Sequence, residues 1–166
     1  MYIGIKPKTH TKSHNADSTM IETALMTTAC APFALGAAGI FTIGHRYKHF
    51  PSDPFRAYRQ IPLRNFDSFD QFYQQRPEGS ILVGVEMGGT ALSAFEHPPQ
   101  AIYLLGAEDY GLPKYVIEKC NLVVSLEAMI KPSYNVAVAG GIVMYDRVFG
   151  VKPQSFDERY RKVKSL

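Results

Sequence analysis

Short apolar runs alternate along this chain with segments of helical periodicity. Tyr2-Ile3-Gly4-Ile5 predicts a first strand, and the polar Lys/Thr/His stretch behind it predicts a loop. From Asn15 to about Cys30, Ile21, Leu25 and Thr28 recur at helical spacing. Thr19 stands three residues before Glu22 as a capping box, and Pro32 ends or bends the helix. Gly39-Ile-Phe-Thr-Ile-Gly44 is the uninterrupted apolar run of a parallel strand covered on both faces. Ile61 to Leu63 predicts a weaker strand, Phe66 to Tyr73 a short helix, and Ile81 to Val85 and Ala101 to Leu105 two strong strands. Pro113 opens a helix through Cys120, and Leu122 to Ser125 is the last strand. Val138, Ala139, Ile142, Val143 and Tyr145 then recur at helical spacing up to about Phe149, and Ser155 to Lys164 forms a short charged helix. Alternation of this kind predicts an α/β domain with a mostly parallel sheet flanked by helices.

At 166 residues the chain has the size of one compact domain, taken as residues 1–150 with a basic tail or short helix over 151–166. Its 18 Lys and Arg against 15 Asp and Glu are too nearly balanced to define a partner, so the distribution of charge decides. Lys6, Lys8 and Lys12 lie in an acid-free N-terminus. Arg46, Lys48, Arg56, Arg59 and Arg64 face only Asp53, and Lys152, Arg159, Arg161, Lys162 and Lys164 crowd the tail. Residues 65–130 reverse the balance, with nine acids against Arg76, Lys114 and Lys119. A basic surface that attracts phosphate by counterion release fits this pattern, as does a set of solvated loops. Cys30 and Cys120 sit in apolar stretches outside any Cys/His ligand cluster, and His14, His45 and His49 form no metal pattern, so neither a disulfide scaffold nor a metal is expected. With no signal pattern and no membrane-length apolar run, the protein is expected to be cytoplasmic.

In open α/β sheets ligands bind beyond the carboxyl ends of the strands, which directs attention to two loops. One is Gly106-Ala107-Glu108-Asp109-Tyr110-Gly111-Leu112-Pro113. The other ends in Pro132-Ser133-Tyr134-Asn135 and enters the small-residue helix that begins at Val136. Neither carries a dinucleotide or P-loop fingerprint, and no Ser/His/acid or Cys/His constellation is present. Taken singly, Gly106 and Gly111 are turn glycines, Pro113 starts a helix, and Ser133 or Asn135 caps one.

Together and in order, the two segments resemble motifs of the SpoU/TrmH branch of the SPOUT superfamily. Gly106, Glu108, Gly111 and Leu112 match a Gly-x-Glu-x-x-Gly-Leu loop. Ser133, Asn135, Val136, Val138 and Ala139 match the Ser-x-Asn-Val-x-Val-Ala opening of the last large helix. The resemblance covers roughly Ser80 to Phe149. It implies a single-domain SPOUT fold with a C-terminal deep trefoil knot, a rare exception to the rule against threaded chains. It also implies S-adenosylmethionine held mainly by backbone at Val85, Glu86, Gly106, Leu126, Ser133, Tyr134 and Asn135, and methyl transfer to a ribose 2'-hydroxyl of tRNA or rRNA. Glu108 and Asn135 match positions that organise the reaction, and a homodimer is implied with the helix near Ile142 to Phe149 at its interface.

The family's first motif is Asn-x-Gly-x-x-x-Arg. Asn15 matches its asparagine, but Asp17 and Ile21 stand where glycine and arginine belong. Three readings stay open: another group such as Arg46 serves, the chain binds RNA or cofactor without transferring a methyl, or residues 16–35 carry an altered first motif. For RNA contact the candidates are Arg46, Lys48, Arg56 and Arg59, with Tyr47 and Phe50 placed among cations where aromatics stack on bases.

Overall fold

The computed structural model describes residues 2–5, 34–44, 57–107, 110–129 and 134–150. In chain order the elements are β1 (Tyr2–Ile5), β2 (Gly39–Ile43), α1 (Ala57–Gln60), β3 (Leu63–Phe66), α2 (Phe69–Gln75), β4 (Ile81–Ala91), a 3-10 turn (Leu92–Ala94), β5 (Ala101–Leu105), α3 (Lys114–Ile117), β6 (Leu122–Ser125) and α4 (Val136–Phe149). The strands form one sheet in the order β3-β2-β1-β5-β4-β6, and every pairing is parallel. The predicted helix over 15–30 and the charged helix over 155–164 lie outside the described residues.

β5 shows why the apolar runs read as buried parallel strands, for all five of its residues are buried. Because successive side chains alternate between faces, Ala101, Tyr103 and Leu105 join one core with Val83, Val124, Val143 and Met144, which α4 covers. Ile102 and Leu104 point into the opposite core with Phe41, Phe66, Phe69, Phe72, Leu112 and Val116, under α2 and α3. In that second core Phe41 stacks on Phe72 with centroids 4.3 Å apart, and Phe66 meets both edge-on.

Four boundaries differ from the sequence pattern. Pro62 has no N–H to give a ladder, and its carbonyl accepts from Ile40 N at 2.9 Å, so β3 begins at Leu63, two residues later than Ile61, and extends to Phe66. Ser68 then caps α2, its Oγ accepting from Gln71 N at 3.1 Å, which starts that helix at Phe69 instead of Phe66. α3 is only Lys114–Ile117, because the chain turns at Lys119 and Cys120 to bring Asn121 to Leu82, each bonding the other at 2.9 Å. The largest difference is β4, which runs past Val85 to Ala91. Val124 of β6 pairs first with Val85 and then with Thr90, so residues 86–89 form an irregular stretch inside a strand.

α4 is anchored at both ends. The Asn135 side chain accepts from Ala137 N at 2.9 Å, and at the other end Arg147 donates to the carbonyls of Pro98 and Pro99 at 2.7 and 2.8 Å. His97 bridges Asp146, at 2.9 Å, and the Tyr103 hydroxyl, at 2.5 Å. Burial pushes the Tyr103 phenol above its ordinary pKa, partly offset by Arg147, so Tyr103 stays neutral. This network fixes the long helix against the central strand and thereby sets where its N-terminus falls.

Candidate functional site

Beyond the carboxyl ends of β5 and β6, beside the irregular middle of β4, lies a cleft of about 510 Å³, in the range of small-ligand sites. β4 contributes Val85, Glu86 and Met87, β5 and its loop Leu105, Gly106, Ala107, Tyr110 and Gly111, and β6 Ser125 and Leu126. Tyr134, Val136 and Ala139 close it from the start of α4. The two loops singled out in the sequence therefore meet at one pocket, though eighteen residues of chain separate Pro113 from Pro132.

Of the expected cofactor positions, Val85, Glu86, Gly106, Leu126 and Tyr134 line the cleft. Asn135 adjoins it and spends its side-chain oxygen on capping α4, which leaves the amide donors as the means by which it can act on a ligand. Ser133, Glu108, Asn15, Arg46, Lys48 and Arg56 lie outside the described residues. Arg59 is exposed in α1. Met87, Ala107, Tyr110, Ser125, Val136 and Ala139 line the cleft without having been singled out for it; Tyr110 was within reach of the sequence as the variable position before Gly111, whereas Met87 depended on the irregular stretch of β4.

The local geometry turns on Glu86. Its Oε2 accepts from Leu112 N at 2.7 Å and its Oε1 from Met87 N at 3.0 Å, a link across 26 residues that ties the β4 irregularity to the loop after β5. Gly111 takes φ +61°, and a Cβ there would overlap the Glu86 carboxylate. A Cβ on Gly106 would overlap the Gly111 carbonyl. Gly111 N in turn donates to Ala107 O at 2.8 Å. The glycines of the Gly-x-Glu-x-x-Gly-Leu loop are thus required by close backbone approach, which leaves main-chain groups bare at the pocket wall.

On the far side Tyr134 Oη donates to Glu127 O at 2.8 Å, and the Glu127 carboxylate accepts from Leu92 N and Ser93 N at 3.1 and 3.2 Å. A bond from the Ser93 side chain foremost, with smaller help from the backbone N–H groups and against a small opposing effect of burial, holds the Glu127 pKa below its ordinary value. Among the described residues, no group of three or more His, Cys, Asp or Glu could hold a metal, and no helix is long and apolar enough to cross a membrane.

An all-parallel sheet with helices on both faces and a glycine-flanked cleft at its carboxyl edge defines an α/β protein of the open parallel-sheet kind. The chain belongs to the SpoU rRNA methylase family, whose model matches residues 31–145. No curated protein matches it. Among solved structures it is similar to the AdoMet-bound rRNA methyltransferase of Sinorhizobium meliloti, with 22% identity and a TM-score of 0.69 over 89% of this chain and 56% of that one. It is similar to the A. aeolicus TrmH/SpoU tRNA modifying enzyme, with 13% identity and a TM-score of 0.70 over 99% of this chain and 85% of that one. A third, from work on 2-OH methylation of C/U34 on tRNA, shares 20% identity and a TM-score of 0.67 over 98% of this chain and 90% of that one. The chain spans little more than half the length of the Sinorhizobium protein. These likenesses bear out the expected SPOUT fold, a parallel sheet flanked by helices.

Proposed function

We propose that this protein is an S-adenosylmethionine-dependent RNA methyltransferase acting on a ribose 2'-hydroxyl of tRNA or rRNA in the cytoplasm. The observation that carries the reading is the meeting of the Gly106–Gly111 loop with the Asn135-led helix at one backbone-lined cleft of about 510 Å³. The residues fit the cofactor: Gly106 and Gly111 admit close main-chain contact, Val85, Leu105, Leu126, Val136 and Ala139 offer apolar walls, and Glu86 supplies a negative charge at the rim. S-adenosylmethionine brings a methyl group on a positively charged sulfur. The protein's task is then to hold the hydroxyl in line with that methyl, exclude water and receive the proton, and orientation alone contributes up to about 7–11 kcal/mol in favourable cases.

In this reading Val85, Glu86, Gly106, Leu126, Ser133, Tyr134 and Asn135 hold the cofactor, and Asn15, Glu108 and Asn135 organise transfer. Arg46, Lys48, Arg56 and Arg59 contact the RNA backbone. The same reading includes the C-terminal trefoil knot and a homodimer. The dimer is supported by an exposed apolar stripe on α4, where Val138, Tyr145 and Phe149 recur beside half-buried Ile142 and the last two rings lie 5.1 Å apart.

The test is incubation of the protein with labelled donor and total tRNA or rRNA. Label is expected in alkali-resistant dinucleotides, since a 2'-O-methyl group removes the hydroxyl that cleaves the chain. Label on a base overturns the ribose assignment. A second reading, a binder without transfer, is favoured by Asp17 and Ile21 in place of the first-motif glycine and arginine. Stoichiometric donor binding by calorimetry without any incorporation establishes that one.

A further inference from the structure

Two large side chains of the cleft stand mostly in water: Tyr110 is 77% exposed and Met87 63%. A single exposed aromatic means little, but these two sit on different segments at the rim of one pocket and a single carboxylate ties them together. Glu86 precedes Met87 and accepts its N–H, and its other oxygen accepts from Leu112 N, two residues beyond Tyr110. Tyr110 N and Gly111 N both donate to Ala107 O, at 3.3 and 2.8 Å. The Tyr110 and Gly111 amides are therefore both bonded while the Tyr110 side chain stays mostly exposed.

The mouth is also selective by charge. Among the described lining residues Glu86 is the sole charged side chain. Among these described residues a phosphate meets one negative charge and no cation, whereas the flat face of a base meets a phenol ring and a polarisable thioether.

We propose that Tyr110, braced by Glu86, is the platform on which a nucleobase of the RNA substrate stacks as its ribose enters the cleft. This rests on the reading of the cleft as the donor site of an RNA methyltransferase. Stacking on an aromatic side chain is worth about tenfold or more in affinity per base, tolerates any base, and positions the attached sugar.

The full chain, loaded with S-adenosylhomocysteine, is titrated against a fluorescein-labelled mixed-sequence single-stranded RNA and against an abasic RNA of the same backbone length. The wild type is expected to favour the base-bearing RNA by about tenfold, the Tyr110→Ala variant to bind the two alike, and Tyr110→Phe, which keeps the ring, to restore the preference. An unchanged preference in Tyr110→Ala, or no preference in the wild type, overturns the proposal. Loss of the preference in Tyr110→Phe as well assigns the effect to the hydroxyl and overturns it equally. Donor calorimetry on the wild type separates this failure from that of the underlying reading, which falls if S-adenosylmethionine itself does not bind.

Discussion

Replacing Gly111 with alanine perturbs two things at once. The backbone at φ +61° lies in the left-handed region, where an L side chain costs about 1–2 kcal/mol. The new methyl also occupies the position of the Glu86 carboxylate, so that the charge-assisted bond to Leu112 N must lengthen or break, a loss of about 1.5 kcal/mol at the low end for a partly buried acceptor. The sum, about 3 kcal/mol, corresponds to a fall in Tm of about 6–12 °C for a chain of this size. A double-mutant cycle with Glu86→Ala isolates the contact. Once the carboxylate is gone, Gly111→Ala is expected to cost only the backbone part, giving a coupling of about 1.5 kcal/mol between two positions 25 residues apart in sequence. Urea denaturation of the four proteins measures the cycle, and calorimetry with S-adenosylmethionine is expected to show the single Gly111 variant binding more weakly. Additive stabilities would falsify the claim that Glu86 braces this loop.

Asn135→Ala removes the cap of α4 and is expected to lower stability by about 1 kcal/mol, while Asn135→Asp keeps a capping oxygen and recovers it. Donor affinity that follows stability in both variants removes Asn135 from the site; affinity lost in both assigns its amide donors to the ligand. Glu127 yields a pH prediction. Its folded pKa is lowered, so its contribution is present above the unfolded value and lost as pH falls through the folded one. Glu127→Gln is therefore expected to flatten the acid limb of the stability profile below the ordinary glutamate pKa, and only slightly, because the group is exposed. Equal slopes for wild type and variant in acid urea titrations remove the bonds to Leu92 and Ser93 from the account.

The buried strands were plain in the sequence, because uninterrupted apolar runs such as Ala101 to Leu105 bury both faces wherever they are placed. So was the long helix over 136–149, though of its recurring positions Ala139 and Val143 are buried while Val138 and Tyr145 are exposed, and so were the two loops that the site needs, since their glycines and asparagine answer backbone demands. What the sequence left open were the features made by long-range contact. Glu86-Met-Gly-Gly reads as the end of a strand, and only pairing of β6 on both sides of the irregularity carries β4 on to Ala91. The bond from Glu86 to Leu112, the His97 bridge between Asp146 and Tyr103, and the emergence of Tyr110 at the pocket rim depend on positions far apart in the chain. Propensity and periodicity act over a few residues and therefore wrote the elements, whereas the choice of which carboxylate meets which amide came from packing those elements into one sheet and two cores.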